Sequence, residues 1–300
     1  MNDLQAVALG QADADLVVRG GTVFRSERRD FADRDVAVVD GRVAALFEDA
    51  SHVVGDETTV VDATDCVVTP GFVDAHTHVD YHHVFEAVYH HVLAGGTTAV
   101  VSEAAGIGAL FDERGVEELL AATADLPIDL RVTVPTAGFV DTFEPQRLDA
   151  DGEDAMLACL DDDRVVGVGE TPWIHLVGHD SPVERLYDRA RTVGKPISGH
   201  GAGCRGEKLT AFASIVDNDH ESIAGEEVVE RVENGIHAIG RSGSIRDDVQ
   251  ALADGYRELG ADELSSPPTG CGLPTSSTWA TWTRCSAGPS TLASTPRTPC

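Results

Sequence analysis

The sequence predicts an α/β fold, a parallel (β/α) barrel of the TIM type that follows an N-terminal segment of short β-strands. After residue 70, apolar runs of strand length alternate with amphipathic segments of helix length, and seven such pairs are present. Because strand–helix–strand units cross over with a right-handed geometry, this alternation favours one parallel sheet over an antiparallel meander. A length of 300 residues accommodates one barrel and a small second domain.

The first predicted domain comprises residues 1–69 and consists of short strands. Residues 1 to about 14 lack a periodic pattern, and we expect them to be loose. A strand is predicted from Leu16, and a hairpin is predicted at Asp40-Gly41, because this pair separates two apolar runs. A further apolar run at residues 59–68 leads into a Pro-Gly turn, at which the barrel domain begins.

The barrel domain is predicted to span residues 70–264. Its strands are expected at Phe72–Ala75, Thr97–Glu103, Asp129–Thr136, Arg164–Glu170, Lys195–His200, Ser214–His220 and Gly235–Arg241. Two of the connecting helices have clear apolar faces, which are formed by Val116, Leu119, Leu120 and Ala124 and by Val249, Leu252, Ala253 and Tyr256. Ser244 is the predicted N-cap of the second of these helices.

Histidine and glutamate residues stand at the ends of four predicted strands. His76 and His78 follow the first strand, and because alternate side chains of an extended chain share a face, they can bind the same metal ion. Strands four, five and six end in Glu170, His200 and His220. The chemistry of a TIM barrel is located where its strands end. Four imidazoles and one carboxylate there can hold two divalent ions, with the carboxylate shared between them.

Each of these histidines, taken alone, is better explained as a hydrogen-bonded core or capping residue. Five candidate ligands that all fall at strand ends are hard to obtain by chance, and together they favour a metal centre. A second group of histidines is interpreted as a partly exposed helix face rather than as a third metal site. This group consists of His82, His83, His90 and His91.

The stretch from Pro70 to His78, Pro-Gly-Phe-Val-Asp-Ala-His-Thr-His, resembles the PGxxDxHxH motif of the amidohydrolase superfamily, metal-dependent hydrolases with a (β/α)8 barrel. Many members bridge two metals with a carboxylated lysine on strand four. This sequence has Glu170 there, in Val-Gly-Val-Gly-Glu, which is similar to the adenine deaminase branch. The Gly-His-Gly around His200, the His-Glu-Ser at residues 220–222 and the Arg-Ser-Gly-Ser from Arg241 also resemble motifs of this branch.

The resemblance implies metal-dependent hydrolytic deamination of a purine base, adenine to hypoxanthine and ammonia, with two divalent ions (manganese, iron or zinc) as cofactors. Glu221 is implied as the catalytic proton shuttle, because the matching residue of the family follows the metal-binding histidine. Glu103, Arg241 and Ser242 border the implied pocket and are predicted to bind the substrate. The segments at residues 79–83 and 102–106 depart from the family pattern, so a relative of adenine is an alternative substrate.

Two other functions are open from the sequence. A cyclic-amide hydrolase of the same superfamily would use the same fold, since the fold alone does not set the reaction, and a catalytically dead fragment would keep the fold without the activity. Zinc deaminases that combine His-x-Glu with Cys-x-x-Cys form a different class on another fold. The sequence contains no Cys-x-x-Cys, so that class is excluded.

The charge excludes several classes of partner. The chain has 51 acidic and 22 basic residues and a net charge of −29, which repels nucleic acid and anionic membranes. Acidic residues spread along a globular pattern are typical of a halophilic protein, because salt screens their repulsion. No apolar run reaches the roughly 18 residues that cross a bilayer, and the first residues are not basic. We therefore predict a cytoplasmic protein. The small-molecule purine substrate is implied by the resemblance alone, and a homo-oligomer is compatible with the sequence.

The last predicted segment, residues 265–300, breaks the composition of the chain. Its 36 residues contain none of the 51 acidic residues, and 21 of them are Ser, Thr or Pro. A disordered linker would explain this bias but not Trp279 and Trp282, so we interpret the segment as an aberrant tail that is translated out of frame. The resemblance then implies a barrel incomplete at its eighth strand, an N-terminal partial β-sandwich and a chain with impaired activity.

Overall fold

The computed structural model describes residues 2–81, 83–137, 139, 148–178, 180–243 and 246–259, and the backbone of residues 283–284. These residues fall into two compact units, one that ends at Pro70 and one that begins at Gly71. His82, the predicted N-cap Ser244 and, apart from residues 283–284, the predicted tail lie outside the described residues. That the tail is translated out of frame therefore stays a prediction.

The N-terminal unit contains one helix and two small sheets. Helix α1 is Asp3–Ala8, and the strands are β1 (Leu16–Arg19), β2 (Thr22–Arg25), β3 (Asp30–Asp33), β4 (Asp35–Val39), β5 (Arg42–Phe47), β6 (Thr59–Asp62) and β7 (Val67–Val68). One sheet has the order β5-β4-β1-β6 and the other has the order β3-β2-β7. The hairpin predicted at Asp40 and Gly41 joins β4 to β5, and their φ angles of 51° and 68° suit a two-residue hairpin turn.

The expectation that residues 1 to 14 are loose is wrong, because helix α1 occupies part of this segment. The Asn2 side chain accepts a hydrogen bond from the Gln5 backbone N–H, and the Gln5 side chain bonds back to the Asn2 N–H, which completes a capping box. Val7 is fully buried in a small core with Val17 and Ala37. A helix of six residues is too short to produce a periodic apolar pattern, so the periodicity of the sequence did not reveal it.

The second unit is built on seven parallel strands that pair in the order of the chain. They are β8 (Phe72–Thr77), β9 (Thr97–Ser102), β10 (Asp129–Val134), β11 (Val165–Pro172), β12 (Ile197–His200), β13 (Asn218–Asp219) and β14 (His237–Ala238). The predicted α/β class with a TIM-like parallel sheet is confirmed. Among the residues that the structure describes, no eighth strand joins this sheet.

The sixth and seventh strands are shorter than predicted. Ser214 was expected to begin strand six, but its N–H donates to the Ala211 carbonyl, and the next two N–H groups donate to Phe212, so this stretch ends the preceding helix. The seventh strand ends at Ala238. Arg241 lies beyond it, in the separate strand β15 (Arg241–Ser242), which pairs in parallel with β16 (Thr283–Arg284).

A helix follows each of the seven strands, as predicted. These helices are α2 (Phe85–Ala94), α3 (Ala105–Ala122), α4 (Ala150–Ala158), α5 (Glu184–Val193), α6 (Glu207–Ala213), α7 (Gly225–Glu233) and α8 (Val249–Leu259). On α3, the predicted face of Val116, Leu119 and Leu120 is buried, but Ala124 lies beyond the end of the helix and is exposed. Asp112 interrupts α3 with φ 52° and ψ −136°.

Helix α8 packs on α7 through small residues rather than through its predicted apolar face. Ala251 and Gly255 are the buried residues of α8, whereas the four predicted residues are only half-buried. A Cβ atom on Gly255 would lie 2.6 Å from the Val228 Cβ, so a glycine is required where the two helices approach. The predicted face is therefore only partly buried, and the closest contact with α7 is made by small residues, which an apolar periodicity does not indicate.

One apolar cluster forms the core of the second unit. Strand β10 contributes Leu130, Val132 and Val134 to it, and helix α5 contributes Leu186. Within the described residues, no helix combines the length and the apolarity that crossing a membrane requires. The cluster fills the space between sheet and helices and leaves the carboxyl-terminal ends of the strands to polar side chains.

Candidate metal centre

The five side chains predicted to bind metal lie at the carboxyl-terminal ends of the barrel strands. His76 is near the end of β8, and His78 follows that strand directly. Glu170 lies in β11, His200 is the last residue of β12, and His220 comes directly after β13. Because the strands are parallel and pair in chain order, their carboxyl ends share one edge of the sheet. The structure brings all five side chains together at this edge.

Glu170 is at the centre of the cluster. Its Oε2 lies 3.0 Å from His220 Nε2 and 3.2 Å from His200 Nδ1. The same oxygen lies 3.6 Å from His76 Nε2, and Oε1 lies 3.6 Å from His78 Nε2. One carboxylate therefore lies within 3.6 Å of all four imidazoles, an arrangement that suits a ligand shared between two ions.

Two overlapping groups of ligand atoms are close enough to hold a metal ion. One consists of His76, Glu170 and His220, and the other consists of His200, His220 and Glu221; within each group the ligand atoms lie within 4.8 Å of one another. The predicted division paired His76 with His78 and His200 with His220. In the structure the His76 ring also stacks on the His220 ring, with 3.7 Å between their centroids, and His220 is a member of both groups.

The pKa shifts within the cluster differ from residue to residue. Burial acts to lower the pKa of His76, but the Glu103 carboxylate outweighs it and raises that pKa. Burial acts against the ionised form of Glu170, but hydrogen bonds from His200 and His220 outweigh it and hold the pKa of this carboxyl well below its usual range. The hydrogen bond to Glu170 raises the pKa of His200, whereas burial lowers the pKa of both His78 and His220. Glu170 is thus ionised, and two of the imidazoles favour the neutral form that binds metal.

Two imidazole nitrogens of the cluster have no hydrogen-bond partner in the described structure. They are His78 Nδ1 and His220 Nδ1, and both are shielded from solvent. A buried polar atom without a partner is unfavourable, so these two nitrogens require a further partner, while Nε2 of both rings faces Glu170 and is the nitrogen that would bind an ion there. Imidazoles around a half-buried carboxylate are a ligand set that divalent transition metals prefer. The described residues therefore fit the metal that the sequence predicts.

Glu103, which was predicted to bind substrate, lies behind the first histidine. Its side chain is buried, and its Oε1 lies 3.2 Å from His76 Nδ1. Its Oε2 accepts a hydrogen bond from the Glu170 backbone N–H at 2.6 Å. A Cβ on Gly169 would lie 2.7 Å from that oxygen, so a glycine is needed for this approach. Both oxygens of Glu103 are engaged within the protein, next to two of the predicted metal ligands.

Glu221, the predicted proton shuttle, is buried beside the predicted metal ligands. Its Oε1 lies 3.5 Å from His220 Nε2 and 3.9 Å from His200 Nδ1. Arg241 Nη1 donates to the same oxygen. Arg241 is held in turn by Asp248, whose Oδ2 accepts from Nη2 at 2.9 Å. The structure therefore brings Arg241, predicted to bind substrate, into direct contact with Glu221.

Ser242 is the third residue that was predicted to bind substrate. It is half-buried in β15, and its backbone bridges to Asp247. Within the described residues, the Ser242 hydroxyl makes no hydrogen bond to the histidine cluster. Ser242 thus follows Arg241 in the chain, but the structure does not bring its hydroxyl into the cluster.

Three residues beside the cluster had no role assigned from the sequence. The Tyr81 ring stacks on the His78 ring, with 4.5 Å between their centroids. Asp219 and Arg231 form a buried ion pair. Tyr81 follows His78 by three residues, which is a local signal that could have revealed it. The pairing of Asp219 with Arg231 has no such signal, because it depends on how helix α7 packs on the sheet.

The histidines in and before α2 do not extend the cluster. His83, His90 and His91 are exposed, and the last two rings lie side by side with centroids 4.0 Å apart. None of them belongs to a metal-binding group of ligand atoms within the part of the chain that the structure describes. The interpretation of an exposed helix face is confirmed for His90 and His91, whereas His83 is exposed but precedes the helix, and His82 lies outside the described residues.

Comparison with known proteins identifies similar sequences. Residues 67–255 match the model of the Amidohydrolase family. The chain is 32% identical over 258 residues to an adenine deaminase of Nitratidesulfovibrio vulgaris and 32% identical over 249 residues to adenine deaminase 2 of Carboxydothermus hydrogenoformans. These alignments cover 85% and 81% of this chain but 44% and 42% of the two relatives. The chain thus spans less than half the length of these relatives.

Two solved structures share the fold. A crystal structure of an adenine deaminase matches with a TM-score of 0.54 at 13% identity and covers 82% of this chain and 71% of that chain. An N-acyl-D-glutamate deacylase from Bordetella bronchiseptica matches with a TM-score of 0.51 at 23% identity, over 83% of this chain and 57% of that chain. The names of the two proteins give different activities, so this likeness speaks for the architecture alone.

Proposed function

The chain belongs to the amidohydrolase family, and we propose that its site serves the hydrolytic deamination of a purine base, which converts adenine into hypoxanthine and ammonia. The observation that carries the proposal is the contact of the half-buried Glu170 carboxylate with imidazoles from three other strand ends. Replacing a ring amino group by oxygen needs a strong nucleophile at neutral pH, and divalent ions, when bound, lower the pKa of a water molecule to supply it. Similarity to adenine deaminases supports this choice of substrate.

Five side chains are assigned to two divalent ions, which are manganese, iron or zinc. His76 and His78 would hold one ion, His200 and His220 would hold the other, and Glu170 would be shared. The position of Glu170 Oε1 beside His78 and of Oε2 beside the other three imidazoles supports the shared role of Glu170, whereas the division of the histidines between the ions follows from the sequence. Imidazole and carboxylate ligands suit all three metals, so the ligand set does not select among them.

Glu221 is assigned the transfer of a proton from the attacking water to the purine ring. A general acid or base must lie within hydrogen-bond reach of the proton that it transfers. Glu221 Oε1 lies beside the proposed ligand His220, which supports this role. Arg241 contacts the same oxygen and would fix its direction. Arg241 and Ser242 are also proposed to border the purine pocket.

Glu103 is assigned to the orientation of His76 rather than to contact with the purine. A carboxylate on the second nitrogen of a metal-binding imidazole fixes the ring and increases its basicity. The distance of 3.2 Å from Glu103 Oε1 to His76 Nδ1 supports this role. The hydrogen bond from the Glu170 N–H to Glu103 Oε2 would hold Glu170 in place beside His76.

The acidic composition supports a further proposal, that the chain is adapted to a salt-rich cytoplasm. A net charge of −29 produces strong repulsion among the carboxylates of the folded chain, and salt screens that repulsion. The expected result is a higher midpoint of thermal unfolding in about 2 M KCl than in about 0.1 M KCl. An unfolding midpoint that is the same in both would remove the halophilic interpretation and leave the proposed catalytic function untouched.

Metal loading and ammonia release test the proposed function. The chain is stripped with a chelator and reloaded with Mn²⁺, its metal content is measured by elemental analysis, and ammonia release from adenine is compared with that of the metal-free chain. Ring opening of dihydroorotate and of hydantoins is measured in parallel, because hydrolases of other substrates share the fold. Metal-dependent ring opening without ammonia release would replace the deaminase by a cyclic-amide hydrolase. A chain that binds no metal would overturn the proposal.

A further inference from the structure

A buried ion pair connects strand β13 with helix α7 beside the metal centre. Asp219 and Arg231 are 0% and 1% exposed, and Arg231 Nε donates to Asp219 Oδ2 at 2.5 Å. Burying two charges is unfavourable unless close contact and additional hydrogen bonds compensate for the lost hydration. In this pair, each partner makes one of its additional hydrogen bonds to the same residue, Gly201.

Gly201 is held at both of its backbone polar atoms. Its N–H donates to Asp219 Oδ1 at 2.6 Å, and its carbonyl accepts from Arg231 Nη2 at 2.8 Å. A Cβ on Gly201 would lie 3.0 Å from both oxygens of Asp219, so a side chain there would crowd the pair. Gly201 follows His200 directly, and Asp219 directly precedes His220. The ion pair is therefore one residue away from a proposed metal ligand on each of two strands.

The two strands that carry these ligands are joined by a short ladder. Strands β12 and β13 pair at only two positions, and the second position joins Gly199 with Asp219. The hydrogen bonds from Asp219 and Arg231 to Gly201 lie just beyond it. They therefore continue the connection between the two strands at the point where the ladder stops and where the ligands begin.

We propose that Asp219 and Arg231 are positioning residues that hold His200 and His220 at the separation that a shared metal ion requires. The inference rests on the proposed function, because it concerns the same ligands. Outer hydrogen bonds that orient metal ligands are a general requirement of metal sites. The pair meets this requirement through the backbone, since it fixes the residue after one ligand and the residue before the other.

Arg164 provides a matched control within the same sheet. It is a half-buried arginine that donates to the Leu130 carbonyl at 3.3 Å and to Thr123 Oγ1 at 2.8 Å. These contacts lie at the amino-terminal end of the strands, away from the histidines. Replacing either arginine is expected to lower stability, but only Arg231 contacts a residue next to a ligand. Metal affinity therefore separates a positioning role from a purely stabilising one.

The test measures Mn²⁺ binding by the whole chain and by the variants Arg231→Lys, Asp219→Asn, Arg231→Met and Arg164→Lys. Free Mn²⁺ is followed by electron paramagnetic resonance, and folding is followed by circular dichroism and Tm. Lysine at 231 keeps the charge but lacks the planar fork that reaches Asp219 and Gly201 together. Asparagine at 219 keeps an acceptor for the Gly201 N–H and removes the charge.

The first two variants are expected to bind Mn²⁺ about 10-fold more weakly or worse, while Arg164→Lys lowers Tm and changes the affinity less than about twofold. If Arg231→Met does not fold, the Mn²⁺ affinities of Arg231→Lys and Asp219→Asn test the inference. Wild-type affinity in both of them would overturn the inference, and so would an equal loss of affinity in Arg164→Lys. A wild-type chain that binds no Mn²⁺ would overturn the proposed function as well, which distinguishes the two failures.

Discussion

At the amino-terminal end of the seven-stranded sheet, Arg164 and Lys195 donate to backbone carbonyls, whereas at the carboxyl-terminal end Glu170 and Glu221 lie beside imidazoles. Arg164 donates to the Leu130 carbonyl at 3.3 Å. Lys195 Nζ donates to the carbonyls of Leu160 and Asp162 at 2.6 Å and 2.8 Å. These contacts are completed by the protein alone, and they fix the loops that lead into the strands.

The carboxyl-terminal end keeps polar atoms that the protein does not satisfy. His78 Nδ1, His220 Nδ1 and Ser222 Oγ are buried and have no hydrogen-bond partner within the described residues. Around them, Glu170 and Glu221 lie close to imidazoles rather than to backbone donors. The difference teaches that Arg164 and Lys195 find their partners within the chain, while the carboxylates and imidazoles at the carboxyl-terminal end are arranged for a group that the chain does not contain.

The largest effect on metal binding at the carboxyl-terminal end is expected from Glu170→Gln. The substitution keeps the shape of the side chain and removes the charge that all four imidazoles face. We expect Mn²⁺ affinity to fall by more than the roughly 10- to 100-fold that the loss of an outer contact causes. Titration and elemental analysis measure it, with Glu153→Gln, a half-buried carboxylate that pairs with Arg185 away from the histidines, as the control for loss of a carboxylate. Unchanged metal content in Glu170→Gln would show that the Glu170 carboxylate is not a metal ligand.

The second prediction concerns Glu221→Gln in the metal-loaded chain. A lost general acid–base catalyst lowers kcat by about 100-fold or more, and the metal content is expected to stay the same. Ammonia release and elemental analysis on one preparation measure both quantities. Loss of metal together with rate would instead identify Glu221 as a ligand, which its position in a group with His200 and His220 allows. An unchanged rate would remove Glu221 from the chemistry.

A smaller effect is expected from Glu103→Gln. The glutamine oxygen can still accept the hydrogen bond from the Glu170 N–H, but the negative charge beside His76 Nδ1 is lost. Outer carboxylates of this kind change metal affinity by about 10-fold, so we expect a loss of that size without loss of fold. Glu103→Ala removes both contacts and should weaken binding further. Wild-type Mn²⁺ affinity in the glutamine variant would argue against an orienting role.

The sequence could predict those site residues that local properties identify, but not those that depend on packing. His76, Glu170 and His220 were identified because strand endings and residue type are local properties, and parallel strands then bring the endings together. The place of Glu103 was not identified, because whether a carboxylate turns towards a pocket or behind a histidine depends on packing. The ion pair of Asp219 with Arg231 is equally hidden, since their separation of twelve residues spans a strand and a helix.

The smallest expected effect is on the alkylation rates of two cysteine thiols, one near each end of the sheet. Cys204 lies in the loop after His200, and its N–H donates to the Gly201 carbonyl. Cys159 lies at the end of α4, before β11, on the amino-terminal side of the sheet. Burial raises the pKa of both thiols to about 11. At pH 8 only about one thiol in a thousand is then ionised, so iodoacetamide should modify both slowly.

Removing the metal should separate the two thiols. With EDTA, the His200 side chain loses the ion that holds it, the loop to Cys204 opens more often, and its alkylation rate is expected to rise by about threefold. Cys159 should keep its rate, because its surroundings are completed by protein contacts. Peptide mass spectrometry after timed labelling resolves the two sites. Equal acceleration at both would mean that the metal stabilises the whole barrel, and no change at Cys204 would mean that the ordering of the carboxyl-terminal end does not depend on the ion.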